Sequence, residues 1–334
     1  MKVKVIAFFN NKGGVGKTSL VYHLAWMLAD RGIKVVAVDL DPQANLSSMF
    51  LQEDRLEELW PDDMSAHPDT ILGAISPIVR GLGDIVNPHI ENIHDNIGLV
   101  VGDMGLSSFE DKLSDAWPRC SSGDEAAFRV MSAFYRIALR AREARQAQLV
   151  LFDVGPNLGA INRSAIIASD YIAIPLAPDL YSLQGLRNLG PRLTSWGQEW
   201  KERLTKNPDK NLQLPAGTMK PVGYVTMQHS VRRDRPVKAY DKWMKKIPNL
   251  YRDVVLNQTR KEKNLDINND RHCLSKIKHY QSLMPMSQEA HKPMFFLKPA
   301  DGAIGSHAAA VGKCYDDFHY LAQRIAKACD IEVQ

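Results

Sequence analysis

Residues 10–19 read NNKGGVGKTS, and what flanks them constrains the chain more than any other feature. Before them lies VKVIAFF (3–9), a short apolar, β-rich run. After them SLVYHLAWMLADRG (19–32) carries apolar residues at helical spacing and stops at Gly32. KVVAVDLD (34–41) follows as a continuous apolar run of the kind a buried parallel strand shows. Strand, glycine-rich loop, helix and strand make a βαβ unit with a phosphate-binding loop at its first turn. The pattern G-x-x-x-x-G-K-[ST] falls on Asn11–Thr18, with asparagine in place of the first glycine. Gly13, Gly14 and Gly16, with Val15 between them, let backbone N–H groups turn inward around phosphate oxygens. The helix N-terminus, from Ser19 on, points its positive end at the same anion. Lys17 would reach the β- and γ-phosphates and the Thr18 hydroxyl would ligate Mg²⁺. A dinucleotide fingerprint fits poorly, because the third position after Gly16 is Ser19. A bare glycine turn with a surface lysine would make the strand and helix on either side a coincidence. A second lysine, Lys12, precedes the glycines and is not required by the loop itself.

Further strands are expected at 97–101, 148–153, 171–176 and 221–227. A helix is expected over 123–146, started by a capping box of Ser122 and Glu125, and a closing helix over 303–328. This alternation predicts an α/β fold with a doubly wound, mostly parallel sheet flanked by helices. One domain is expected over residues 1–334, with excursions from the core at about 51–96 and 229–282. Within these, 51–70 and 258–282 read as polar and irregular. Asp39 and Asp41 end the second strand, and Asp153 ends a later apolar strand. Carboxylates at such strand ends border the crevice where open α/β sheets bind ligands, and Asp39 and Asp153 are candidates to hold Mg²⁺ with Thr18. Each acid taken alone also suits helix capping or a turn.

The bulk composition excludes several classes. With 45% apolar and 24% charged residues among 334, a packed core is expected throughout. The four cysteines, Cys120, Cys273, Cys314 and Cys329, lack metal-ligand spacing and are expected to be reduced, as in a cytoplasmic protein. The opening MKVKVIAFFNN is too short for a signal peptide. No apolar stretch approaches about 18 residues, so no membrane-spanning segment is expected. Membrane-surface binding needs a basic amphipathic tail, and RIAKACDIEVQ carries Asp330 and Glu332 near its end, so no membrane partner is expected.

Taken together, KGGVGKT (12–18), VDLDPQANLS (38–47) and LFDVGPNLG (151–159) resemble the ParA/MinD family of deviant Walker ATPases, closest to its ParA-type partition members. Residues 97–114, 174–186 and 291–311 are similar to further blocks of that family, so the resemblance spans most of the chain. It implies a P-loop ATPase that binds ATP and Mg²⁺ and hydrolyses ATP slowly. It implies an ATP-sandwich homodimer in which Lys12 crosses to the partner subunit's phosphates. A cation facing several phosphate charges in a dry interface acts strongly, which would make pairing depend on ATP. Asp41 would position or polarise the attacking water. Thr226 and Met227 fall where the family lines the adenine. Gly155 departs from the proline common at that position, which implies a more flexible loop.

Charge is unevenly placed. Residues 1–225 hold 23 Lys+Arg against 26 Asp+Glu, and residues 226–334 hold 19 against 12. Segment 229–263 alone has 11 Lys+Arg and 4 acids, interleaved with Tyr240, Trp243 and Tyr251. Such a surface would neutralise backbone phosphates without reading bases. Arg232, Arg233, Arg235, Lys245 and Lys246 are the candidate DNA contacts. The same segment also reads as a solvated helix whose aromatics are core. The resemblance implies nonspecific DNA as a partner, nucleoid association, and a ParB-like or other adaptor that stimulates hydrolysis. Two alternatives stay open: a nucleotide-gated regulatory protein without DNA binding, and a kinase or synthetase acting on a small metabolite.

Overall fold

The apolar runs of the sequence become strands buried on both faces. The computed structural model describes residues 4–62, 67–228, 242–258, 265–280 and 282–332. In chain order the elements are β1 (Val5–Phe8), α1 (Lys17–Asp30), β2 (Val35–Leu40), α2 (Asn45–Phe50), α3 (Glu53–Leu59), α4 (Ile71–Val79), β3 (Glu91–His94) and β4 (Ile97–Val100). Then come α5 (Phe109–Arg119), α6 (Glu125–Met131), α7 (Ala133–Arg145), β5 (Leu149–Val154), α8 (Ala160–Ile167), β6 (Tyr171–Leu176), α9 (Leu180–Leu204) and β7 (Lys220–Gln228). The last are α10 (Ile247–Leu250), β8 (Cys273–Lys278), α11 (Leu283–Glu289) and α12 (Ser306–Ala328).

The strands form one sheet in the order β3-β4-β2-β5-β1-β6-β7-β8. Among the described residues only the β3–β4 pair is antiparallel. Every residue of β1, β2, β4 and β5 is buried, as a sheet covered by helices on both faces demands. Successive side chains point to opposite faces. Val5, Ala7, Val36 and Val38 therefore join the core beneath α4–α9, while Ile6, Phe8, Val35 and Ala37 join the core beneath α1 and α12. The doubly wound, mostly parallel sheet predicted from the sequence is the observed fold.

Three local expectations are corrected. The helix foreseen over 123–146 is two helices, α6 and α7, with Ser132 between them at φ −92° and ψ 1°. The Ser132 hydroxyl donates to Phe128 O at 2.7 Å, a local bond that competes with helical continuity. The cap of α6 is Asp124, which accepts from Ala127 N, and not Ser122, whose hydroxyl donates to Arg119 O. The excursion at 258–282 is not wholly irregular, since β8 inside it extends the central sheet beside β7. Likewise 51–70 contains α3. β8 was hidden because CLSKIK pairs on one side only and mixes lysines with apolar residues.

Candidate active site

β1 lies between β5 and β6, yet α1 carries the chain on to β2, past β5. From β5, α8 carries it past β1 to β6, on the other face of the sheet. Crevices at the carboxyl ends of strands open where connections diverge in this way. The loop after β1 fills that place. Gly14 and Gly16 adopt φ of 72° and 85°, a region closed to most side chains, and Gly16 hands the chain directly into α1 at Lys17. The backbone turn that needs glycine is thus formed at the start of the helix.

Around this loop lies a cavity of about 600 Å³, lined by Lys12 through Ser19, Asp41 and Pro156, and closed by Tyr22, Gln43, Asn45, Ser48, Met49, Met284, Ser287 and Gln288. Lys17, only 7% exposed, makes an ion pair with Asp153. Asp153 stands beside Asp39 in the register of β5 on β2, and both are fully buried. Burial, then the neighbouring Asp153, pushes the Asp39 carboxyl above the usual carboxylate range. Burial also raises Asp153, against the opposing pull of Lys17. Asp39 Oδ2 accepts from the Ser47 amide at 2.9 Å and its hydroxyl at 2.8 Å, and the same hydroxyl accepts from Gly102 N at 2.8 Å. Asp41 sits beyond the strand end on the cavity wall, held by the Gln43 amide at 3.1 Å from Oδ1. A Cβ on Gly155 would lie 3.5 Å from Asp41 Oδ1, so the loop after β5 closes over this acid.

Oxygen donors for a hard cation are present. Asp39 and Asp153 are adjacent carboxylates, Asp153 Oδ2 is buried without a hydrogen bond, and Thr18, in the first turn of α1, lines the same cavity. Among the described residues no group of three or more His, Cys, Asp or Glu forms a metal cage by itself. This suits Mg²⁺, which commonly takes one or two carboxylates and completes its shell with water and substrate phosphate.

Lys12, Gly13, Gly14, Val15, Gly16, Lys17, Thr18, Ser19 and Asp41 are therefore brought together on one cavity, with Asp39 and Asp153 behind them. Thr226 and Met227 are not on its lining. Thr226 is fully buried, and a Cβ on Gly16 would lie 3.0 Å from Met227 Cε, so Met227 packs against the loop. Of the candidate DNA contacts, Arg232, Arg233 and Arg235 lie outside the described residues. Lys245 and Lys246 are exposed just before α10. Lys242, also exposed, and Lys246 flank the half-buried Trp243 ring at 5.2 and 5.0 Å, and Tyr251 is core. Sequence reasoning missed Ser47, although it closes the quoted run VDLDPQANLS, and it missed α11, whose position gives no local sign of the loop.

The comparisons agree with this geometry. Residues 3–206, more than half of the chain, match a family described as an AAA domain. An uncharacterised protein of Methanocaldococcus jannaschii is 26% identical over 71% of this chain and 91% of its own length. The sporulation initiation inhibitor protein Soj of Bacillus subtilis is 29% identical over 56% of this chain and 63% of its own length. The chain spans less than half the length of several other curated relatives. Among solved structures, a Corynebacterium diphtheriae protein superposes with a TM-score of 0.71 at 21% identity, covering 98% of this chain and 99% of that one. The pnob8 ParA structure superposes at 0.64 and 18% identity, covering 98% and 99%. With the loop, the two buried acids and the sheet order in place, the chain belongs to the ParA/MinD family of P-loop proteins, whose members are ATPases.

Proposed function

We propose that this protein is a ParA-like ATPase switch that partitions or positions DNA or another cargo in the cytoplasm. The observation that carries the reading is the convergence of Lys12, Lys17, Thr18 and Asp41 on one cavity backed by Asp39 and Asp153. In this reading ATP is the substrate. The backbone N–H groups of 13–16 and the start of α1 hold its phosphates. Lys17 exchanges Asp153 for phosphate oxygen, and Asp41 holds the attacking water. Thr18, Asp39 and Asp153 hold Mg²⁺, which would neutralise charge on the phosphates. Among the described residues no glutamate joins the loop on the cavity wall, and in this reading turnover is slow without a partner. That rate suits a switch better than a metabolic enzyme.

Two subunits close face to face on ATP, each lending Lys12 to the other's nucleotide. The pair then binds DNA nonspecifically through the basic segment near Lys245 and Lys246, and an adaptor protein triggers hydrolysis and release. Lys17→Ala tests the core of this: Mg-ATP affinity by calorimetry falls by at least a hundredfold, and retained affinity overturns the loop assignment. A DNA gel shift with and without ATP decides between the DNA-bound switch and a regulator without DNA.

A further inference from the structure

Lys12 stands at the mouth of the cavity, and its ammonium is ion-paired with Asp179 of its own subunit. The two side chains are 27% and 18% exposed, so the pair is reachable from solvent without unfolding. The Asp179 oxygens have separate partners. Oδ2 takes Lys12, and Oδ1 caps α9 by accepting from Ser182 N at 2.9 Å.

The start of α9 is tied to the loop by more than this ion pair. Ser182 Oγ accepts from Ala177 N at 3.1 Å, and Asn10 Nδ2 donates to Pro175 O at 2.6 Å. A Cβ on Gly185 would lie 2.4 Å from Asn11 Oδ1, so helix and loop touch with nothing between. Asp179 and the Lys12 backbone thus belong to one rigid unit, and only the Lys12 side chain is free to change partner. On the same rim Leu180 and Tyr181 are 50% and 72% exposed, an apolar area next to the ion pair.

We propose that Asp179 holds Lys12 back in the separate subunit, and that breaking this pair against a second copy's nucleotide sets the protein concentration at which ATP drives dimerisation. The inference rests on the sandwich reading above. Incoming phosphates attract the ammonium and repel the carboxylate beside it. Lys12 leaves, and Asp179 stays with the α9 cap. The second copy then covers Leu180 and Tyr181.

The test is sedimentation velocity of the whole chain with Mg²⁺ and adenylyl imidodiphosphate over a protein concentration series. Asp179→Asn keeps a capping oxygen, and Asp179→Ser does so independently if the first variant folds poorly. Both shift the dimerisation midpoint to lower protein concentration by about tenfold, because each of two subunits is relieved of a part-exposed ion pair. In a Lys12→Ala background neither substitution restores pairing. An unchanged midpoint, a shift to higher concentration, or a shift that persists without Lys12 overturns the role of Asp179. Wild-type chain that never pairs under these conditions overturns the sandwich reading itself, which is a different result.

Discussion

At the scale of single residues, two aspartates in VDLDP take different work from their surroundings. Asp39 is enclosed by Ser47, Gly102 and Asp153, and a Cβ on Gly102 would come within 2.7 Å of its Cγ. Asp41, past the end of β2, faces the cavity. Asp41→Ala should therefore keep ATP affinity within about threefold while turnover falls by about a hundredfold, the scale of a positioned proton acceptor. Phosphate release at saturating ATP measures it, and normal turnover removes Asp41 from the chemistry. His23 is a second case. Its Nδ1–H donates to Ser19 O at 2.7 Å, and its Nε2 accepts from Met294 N at 3.1 Å, so the ring is held neutral between α1 and the segment after α11. Burial lowers it to about 4, against the opposing Ser19 bond. The unfolded chain then binds more protons between about pH 6.5 and 4, so stability falls as pH drops through that window. Thermal midpoints of wild type should fall more between pH 7 and pH 5 than those of His23→Phe. Equal slopes would show that His23 is not the titrating group.

At the scale of elements, the contact between α9 and the turn at Tyr251–Val255 brings helix and backbone together directly. A Cβ on Gly190 would lie 1.9 Å from Val254 O, so the helix approaches backbone directly. That turn closes with π-type bonds, and Arg252 is tied to Asp270 at 2.9 Å, which in turn accepts from Tyr224 of β7 at 2.6 Å. Backbone cannot swing aside as a side-chain tip can. Gly190→Ala should destabilise the protein by about 2 kcal/mol, within the usual range for overpacking. Urea unfolding reads this, and a loss under about 0.5 kcal/mol would mean that α9 shifts without resistance.

At the scale of the whole molecule, charge and topology act together. The loop, Asp39, Asp41 and Asp153 all lie at the carboxyl ends of strands, while the positive excess falls after residue 225. No helix among the described residues is long and apolar enough to cross a membrane. If the basic region meets DNA backbone in the ATP-bound pair, replacing Lys245 and Lys246 by Ala should weaken binding equally for unrelated sequences. The slope of log affinity against log salt should shrink by about two per subunit engaged. An unchanged slope would place the DNA contacts elsewhere.

The local sequence was enough to determine the phosphate loop, the buried parallel strands and the acids at their ends. These depend on glycine conformation, apolar runs and residue chemistry over ten or so neighbours. It also carried the family, because three short motifs recur together. It did not reveal Ser47 as the holder of Asp39, the Lys12–Asp179 pair across 167 positions, or α11 closing the cavity opposite a loop far away in the chain. Such contacts come from which strands lie side by side and which helices their crossovers bring together. Nor did it separate β8 from its polar surroundings, since an edge strand owes its pairing to β7 and not to its own pattern. Sheet order alone set these partners.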